Sequence, residues 1–100
     1  MSGQYILDEN GQPVPCHDLM EWGRFMEQKG VRQVAIDMIG DADVSTVFLG
    51  LDHAFGGGPP VLWETMIFGG KHDGYQERYT SRNRAIVGHQ KALEMVKATR

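Results

Sequence analysis

The sequence predicts an α+β fold in which two helices cover an antiparallel sheet of three to five strands, in two layers. Three observations carry this. Apolar residues recur at helical spacing over about 18–29 and 81–98. Between them, over 32–80, apolar and polar residues alternate with a period of two, the pattern of a β meander. Each of these elements has a single apolar face and can bury it only by stacking on another layer. One hundred residues are the size of one domain, so 1–100 is read as a single unit.

The elements follow in order. Tyr5-Ile6-Leu7 is a short apolar run, and Asn10-Gly11 after it is a tight-turn pair because both residues tolerate positive φ. With Pro13-Val14-Pro15 beyond, 1–17 reads as a hairpin-like arm whose second side, lacking two N–H groups, is an edge or non-strand segment. Asp18 and Glu21 form a capping-box-like pair ahead of Leu19, Trp22, Phe25 and Met26, which share one stripe. Gly30 is placed to end that helix in the left-handed region. Val34, Ile36 and Met38 alternate with Gln33, Ala35 and Asp37 in a strand over 32–39, and Trp22 and Phe25 are expected to pack on the Val34–Ile36–Met38 side. Gly40 to Asp43 is turn chemistry, and a β-branched strand over 44–49 returns antiparallel. After Gly56-Gly57-Gly58-Pro59-Pro60, a strand over 61–68 carries Leu62, Glu64, Met66 and Phe68 on one side and Val61, Trp63, Thr65 and Ile67 on the other. A short polar strand over 76–80 lies at the sheet edge. Thr80 or Ser81 caps the last helix, whose stripe is Ala85, Ile86, His89, Ala92, Leu93 and Val96.

Composition excludes several classes of function. Lys and Arg number 10 against 13 Asp and Glu, so no bulk basic field draws nucleic acid or anionic lipid. No apolar run approaches the roughly 20 residues that span a bilayer, and no secretory h-region follows Met1. Cys16 is the sole cysteine and forms no internal disulfide. The expectation is a cytoplasmic protein that engages neither membrane nor nucleic acid. Six methionines (Met1, Met20, Met26, Met38, Met66 and Met95) read as core filler. So small a chain has little core to spare for a deep cavity, which places any site in a surface cleft or at a subunit interface, the latter as a homodimer.

Chemistry-bearing residues concentrate in two places. Asp52-His53 closes one strand, Glu64-Thr65 lies in the next, and His89 is the one ionisable group on the apolar stripe of the last helix. An inward imidazole needs a partner, and Glu64 is the strand carboxylate on an otherwise apolar face, so His89 and Glu64 are expected to meet. Gly88 beside His89 removes a side chain where the helix could approach the sheet closely. His53, Glu64 and His89 would suit a divalent metal or an acid–base pair, although their spacing matches no metal motif. The ordinary alternatives are a core histidine bonded to backbone and plain turn chemistry at Asp52-His53. The second place is Arg78, Arg82 and Arg84 with Tyr75 and Tyr79 interleaved, just ahead of the Ser81 helix start, where charge-assisted bonds and stacking could hold an anion. The glycine loop lacks the ending of a phosphate cradle and reads as a mobile lid, a partner-binding tip or a connector. Nothing in the sequence specifies a cofactor.

The run Val44-Ser45-Thr46-Val47-Phe48-Leu49-Gly50-Leu51-Asp52-His53, with Glu64-Thr65-Met66-Ile67-Phe68-Gly69-Gly70, Arg78-Tyr79-Thr80 and Gly88-His89, resembles a set of small uncharacterised phage and prophage proteins. The resemblance extends from Tyr5 to about Val96. It implies a mobile-element setting in a host cell and one compact domain, and it supplies no catalytic residue. Two functions are open on this basis. One is an accessory protein, for instance in counter-defence, that binds a host protein or a small anionic ligand through His53, Glu64, Thr65, Arg78, Tyr79 and His89. The other is a small metal- or His-dependent hydrolase or nuclease-like enzyme built on His53, Glu64 and His89.

Overall fold

The computed structural model describes residues 3–54 and 56–99. Its elements are β1 (Tyr5–Leu7), β2 (Pro13–Pro15), α1 (Leu19–Met26), α2 (Lys29–Arg32), β3 (Gln33–Ile39), β4 (Ala42–Phe48), β5 (Trp63–Phe68), β6 (Gln76–Tyr79) and α3 (Arg82–Ala98). β1 and β2 pair as a hairpin, and β3-β4-β5-β6 form an antiparallel sheet in sequential order, so the fold is α+β. Among the described residues, no helix is long and apolar enough to cross a membrane.

Local chemistry explains the arm and the first helix. Gly11 has φ 79°, and the Asp8 carboxylate accepts from the N–H groups of Asn10 and Gln12 at 2.9 Å, closing the hairpin turn. The arm is tied to the main sheet end by Tyr5 N–H donating to the Gly50 carbonyl at 2.8 Å. Asp18 caps α1 by accepting from the N–H groups of Met20 and Glu21. Trp22 lies half-buried and donates its indole N–H to the same Gly50 carbonyl at 3.0 Å. Gly50 has φ +78°, and a Cβ there would run into the Met26 sulfur, so α1 rests on bare backbone.

The first helix ends sooner than its periodicity suggests. Arg32 donates to the carbonyls of Met26 at 3.2 Å and Phe48 at 3.3 Å, drawing the chain out of α1, through the single turn α2 and into β3. Gly30 lies within α2 and is not in the left-handed region, so it is not the helix stop.

Val34, at a register shift in β3, packs against the Phe25 cluster as expected, but beyond it the strand buries the face opposite to the one expected. Ala35, Asp37 and Ile39 pair across from Thr46, Val44 and Ala42, and this is the side that α3 covers. Ile36 and Met38 point the other way and are 51% and 76% exposed. The 17-residue α3 is long enough to span all four strands, and it claims the face on which β4 carries Ala42, Val44, Thr46 and Phe48. The shorter α1 instead closes one end, where Phe25 meets Phe48 edge-on at 6.0 Å. On α3 the inward stripe is Ala85, Gly88, His89, Ala92, Leu93 and Val96, while Ile86 is exposed rather than inward. Of the methionines, Met20 and Met38 are also exposed and fill no core, and Met1 lies outside the described residues.

The apolar core has two parts. Ala42, Val44, Ile67, Ala92, Leu93 and Val96 pack at one end, and Phe25, Phe48, Leu62, Trp63 and Ala85 at the other. Truncating Phe48 to alanine is expected to cost about 3–5 kcal/mol in chemical denaturation, the usual range for a buried aromatic. Met38→Ala is expected to change stability by less than about 0.5 kcal/mol, as for an ordinary surface site. A large loss at Met38 would mean that the open face is covered.

Candidate functional site

A belt of polar side chains separates the two apolar clusters. His89, 1% exposed, projects from α3 onto the sheet between them. Its Nε2 lies 2.7 Å from the Asp37 carboxylate on β3, and its Nδ1 lies 2.7 Å from the Thr46 hydroxyl on β4. Thr46 is directly opposite Thr65 on β5, and their hydroxyl oxygens are 2.5 Å apart. A carboxylate offers only acceptors, so His89 donates from Nε2. In that tautomer Nδ1 accepts the Thr46 hydroxyl proton, and Thr65 donates to Thr46. The hydroxyls of Thr46 and Thr65 and both ring nitrogens of His89 are therefore satisfied, and three strands are stitched to one helix.

The belt ends beside Tyr79 on β6. The Tyr79 hydroxyl is buried next to Thr65, but its geometry falls short of a hydrogen bond there and it meets no other partner among the described residues. Burial raises its pKa above the usual 10.0, so it stays a neutral phenol through the physiological range. The ring lies directly on Gly88: a Cβ at that position would overlap the Tyr79 ring and hydroxyl. The glycine that the sequence marks as a point of close approach is thus the seat of a tyrosine.

Outside Tyr79, a groove of about 530 Å³ runs between β6 and α3. Tyr75, Tyr79, Val87 and Gly88 contribute its apolar surface, and Arg84, Lys91 and Glu77 its charge. Arg78 also borders it, with its guanidinium committed elsewhere. β6 is the edge of the sheet. Because the carbonyls of Tyr75 and Tyr79 accept from Ile67 and Leu62 of the β5 side, the alternate residues Gln76 and Arg78 turn their backbone groups outward.

The residues singled out from sequence divide among three places. Thr65, Tyr79 and His89 come together along the belt. Glu64 and Arg78 pair on the opposite, open face of the sheet, with Arg78 Nε 3.0 Å from the Glu64 carboxylate and Gln76 also donating to it. His89 and Glu64 therefore do not meet, because successive strand residues point to opposite faces and α3 covers the Thr65 side. His53 stands apart in the loop after β4, with Nδ1 2.8 Å from the Leu51 carbonyl. Beside it, the N–H groups of Val61 and Ala54 hold the Asp52 carboxyl below its usual range and close the base of the glycine loop. None of the loop's described residues lines the groove. Among the described residues no three His, Cys, Asp or Glu side chains are grouped to hold a metal.

Asp37 and Thr46 escaped the sequence reading. Strand alternation did put Asp37 opposite Ile36 and Met38, and the signal was there once the buried face was known. Comparison with protein-family models, curated proteins and solved structures finds no match to this chain.

Two outcomes follow from the Tyr79–Gly88 contact. Gly88→Ala is expected to destabilise by about 1–3 kcal/mol despite the better helix former, because the methyl group overpacks against the ring. The same change in a Tyr79→Leu background should cost at least about 1 kcal/mol less, which thermal denaturation of the double-mutant cycle measures. Equal costs in both backgrounds would dissociate glycine and ring. The second outcome concerns alkaline pH. A pKa raised in the folded state gives stability that is present below about 10 and lost as pH rises through the folded value. Tyr79→Phe should therefore lose less stability between neutral and strongly alkaline pH than the parent, and equal slopes would show the phenol to be solvated.

Proposed function

We propose that this protein is a small phage-type accessory protein that acts by binding, with the groove between β6 and α3 receiving an extended acidic segment of a host protein. The observation that carries the reading is an unpaired strand edge beside a helix that presents cations. The outward backbone groups of Gln76 and Arg78 can extend the sheet by one strand, a recurrent mode of peptide recognition. Arg84 and Lys91 on α3 have no ion-pair partner among the described residues and face the same groove. Tyr75 and Val87 supply apolar surface for alternate side chains of the incoming strand. A small anion would leave the row of backbone donors and acceptors unused, so a peptide fits better.

The groove is backed by a rigid wall. The belt fixes α3 against β3, β4 and β5, and Tyr79 wedged on Gly88 fixes β6 against α3, so the cleft is formed before a ligand arrives. The resemblance to phage proteins supplies the host setting of the partner. A metal-dependent hydrolase on His53, Glu64 and His89 gains no support, since the three lie in a loop, on the open face and under the helix.

A synthetic extended peptide with alternating acidic and β-branched residues is expected to shift the amide resonances of Gln76, Glu77 and Arg78. Replacing both Arg84 and Lys91 by Glu should weaken its binding by at least about tenfold, a loss of 1.4 kcal/mol. Equal binding of a basic peptide of the same pattern, or shifts confined to the rest of the molecule, would contradict the reading.

A further inference from the structure

The groove between β6 and α3 carries one charge that the proposed function leaves unused. Glu77 stands on the same face of β6 as Tyr75 and Tyr79, because it pairs across from Thr65 on the side that α3 covers. It is exposed, lines the groove and has no ion-pair partner among the described residues. Its charge is felt there: burial raises the pKa of Tyr75 above the usual 10.0, and the Glu77 carboxylate adds to the rise. Arg78, the next residue, faces the open side and is held by Glu64, so it does not neutralise Glu77.

The charges along this cleft alternate in sign. Tyr79 packs with the apolar cluster that contains Ala85, and Tyr75 with the one that contains Ala92, Leu93 and Val96, so α3 and β6 run in opposite senses along the groove. Arg84 therefore lies toward the Tyr79 end and Lys91 toward the Tyr75 end. At about 1.5 Å of rise per residue, the two cations stand roughly 10 Å apart along the helix, with Val87 midway. At about 3.3 Å per residue, Tyr75 and Tyr79 are roughly 13 Å apart along the strand, with Glu77 midway. The long, flexible side chains of Arg84 and Lys91 cover the difference. The groove thus presents positive, negative and positive charge in order.

We infer that Glu77 is the specificity-determining residue of this groove, selecting a strand that carries acid, base and acid at alternate positions. The inference rests on the proposed function, in which the incoming strand pairs along Gln76 and Arg78. In an antiparallel ladder, the residues of that strand on the α3 side stand directly opposite Tyr75, Glu77 and Tyr79. Acidic side chains at the two outer positions meet Lys91 and Arg84. The central position meets Glu77, where a third acid is repelled and a Lys or Arg is attracted. A central lysine can also lay its aliphatic stem along Val87 while its ammonium reaches the carboxylate. A uniformly acidic segment, by contrast, sets like charges across the strand edge.

Two synthetic peptides that differ at one position test this, Glu-Thr-Lys-Thr-Glu and Glu-Thr-Glu-Thr-Glu, each titrated while the amides of Gln76, Glu77 and Arg78 are followed by ¹H–¹⁵N correlation spectra. The Lys-centred peptide is expected to bind at least about fivefold more tightly, although the Glu-centred one carries the greater net negative charge. Glu77→Lys, at an exposed position outside the core, should reverse that order. Glu77→Gln should bring the two peptides to within about twofold of each other. Equal binding of both by the parent overturns the inference and leaves the proposed function standing. A preference for the Lys-centred peptide that persists in Glu77→Lys or at full size in Glu77→Gln does the same. Binding of neither peptide overturns the inference and the proposed function together.

Discussion

His89 joins the two halves of this core, and most of the structure depends on how it does so. A domain of this size has few apolar residues to bury, and here they are split into two clusters by a band of Thr46, Thr65 and His89. Polar groups so deep are costly unless each finds a partner, and each of these does. Because the bonds are directional, they also select one alignment. Sliding α3 by a turn, or β5 by a residue, would leave hydroxyls and a ring nitrogen facing aliphatic carbon. Asp37, half-exposed at the far end, lets the band begin in water and avoids a fully buried carboxylate.

The groove inherits its shape from this band. With α3 fixed over β3, β4 and β5, the next neighbour along the sheet is β6, and Gly88 lets Tyr79 fill the space between them. What remains outside Tyr79 is a cleft between a helix and the outer edge of β6. The charged residues on its rim are not those that hold the fold. Arg78 is bound to Glu64 across the open face, whereas Arg84 and Lys91 extend from the solvent side of α3. On the proposed function, structural and recognition duties are thus divided among neighbouring residues of the same two elements.

The fold was largely legible in the sequence because the local signals agreed with one another. Asn10-Gly11, Asp18, the alternation from Gln33 to Phe68 and the Ser81 cap each specify one element, and each is where the sequence puts it. The side of the sheet that is buried was not legible. Val34, Ile36 and Met38 are more apolar than Ala35 and Asp37, yet cross-strand pairing with β4 turns the latter toward α3. Because of that one reversal the sequence pattern points His89 to Glu64, the carboxylate on an apolar strand face, and not to Asp37, which stands 52 residues away in the chain. The inward imidazole and the close approach at Gly88 were readable, since helical periodicity is a property of α3 alone. Their partners were not, because they depend on a register that only the whole sheet decides.

The central claim is that His89 holds the sheet through a fixed donor and a fixed acceptor. Two-bond ¹H–¹⁵N correlation of the His89 ring measures this directly. The account predicts the Nε2–H tautomer, with that proton protected from exchange by its bond to Asp37 and the ring signals displaced in Asp37→Asn. An Nδ1–H tautomer, or ring signals unmoved by that substitution, would contradict it.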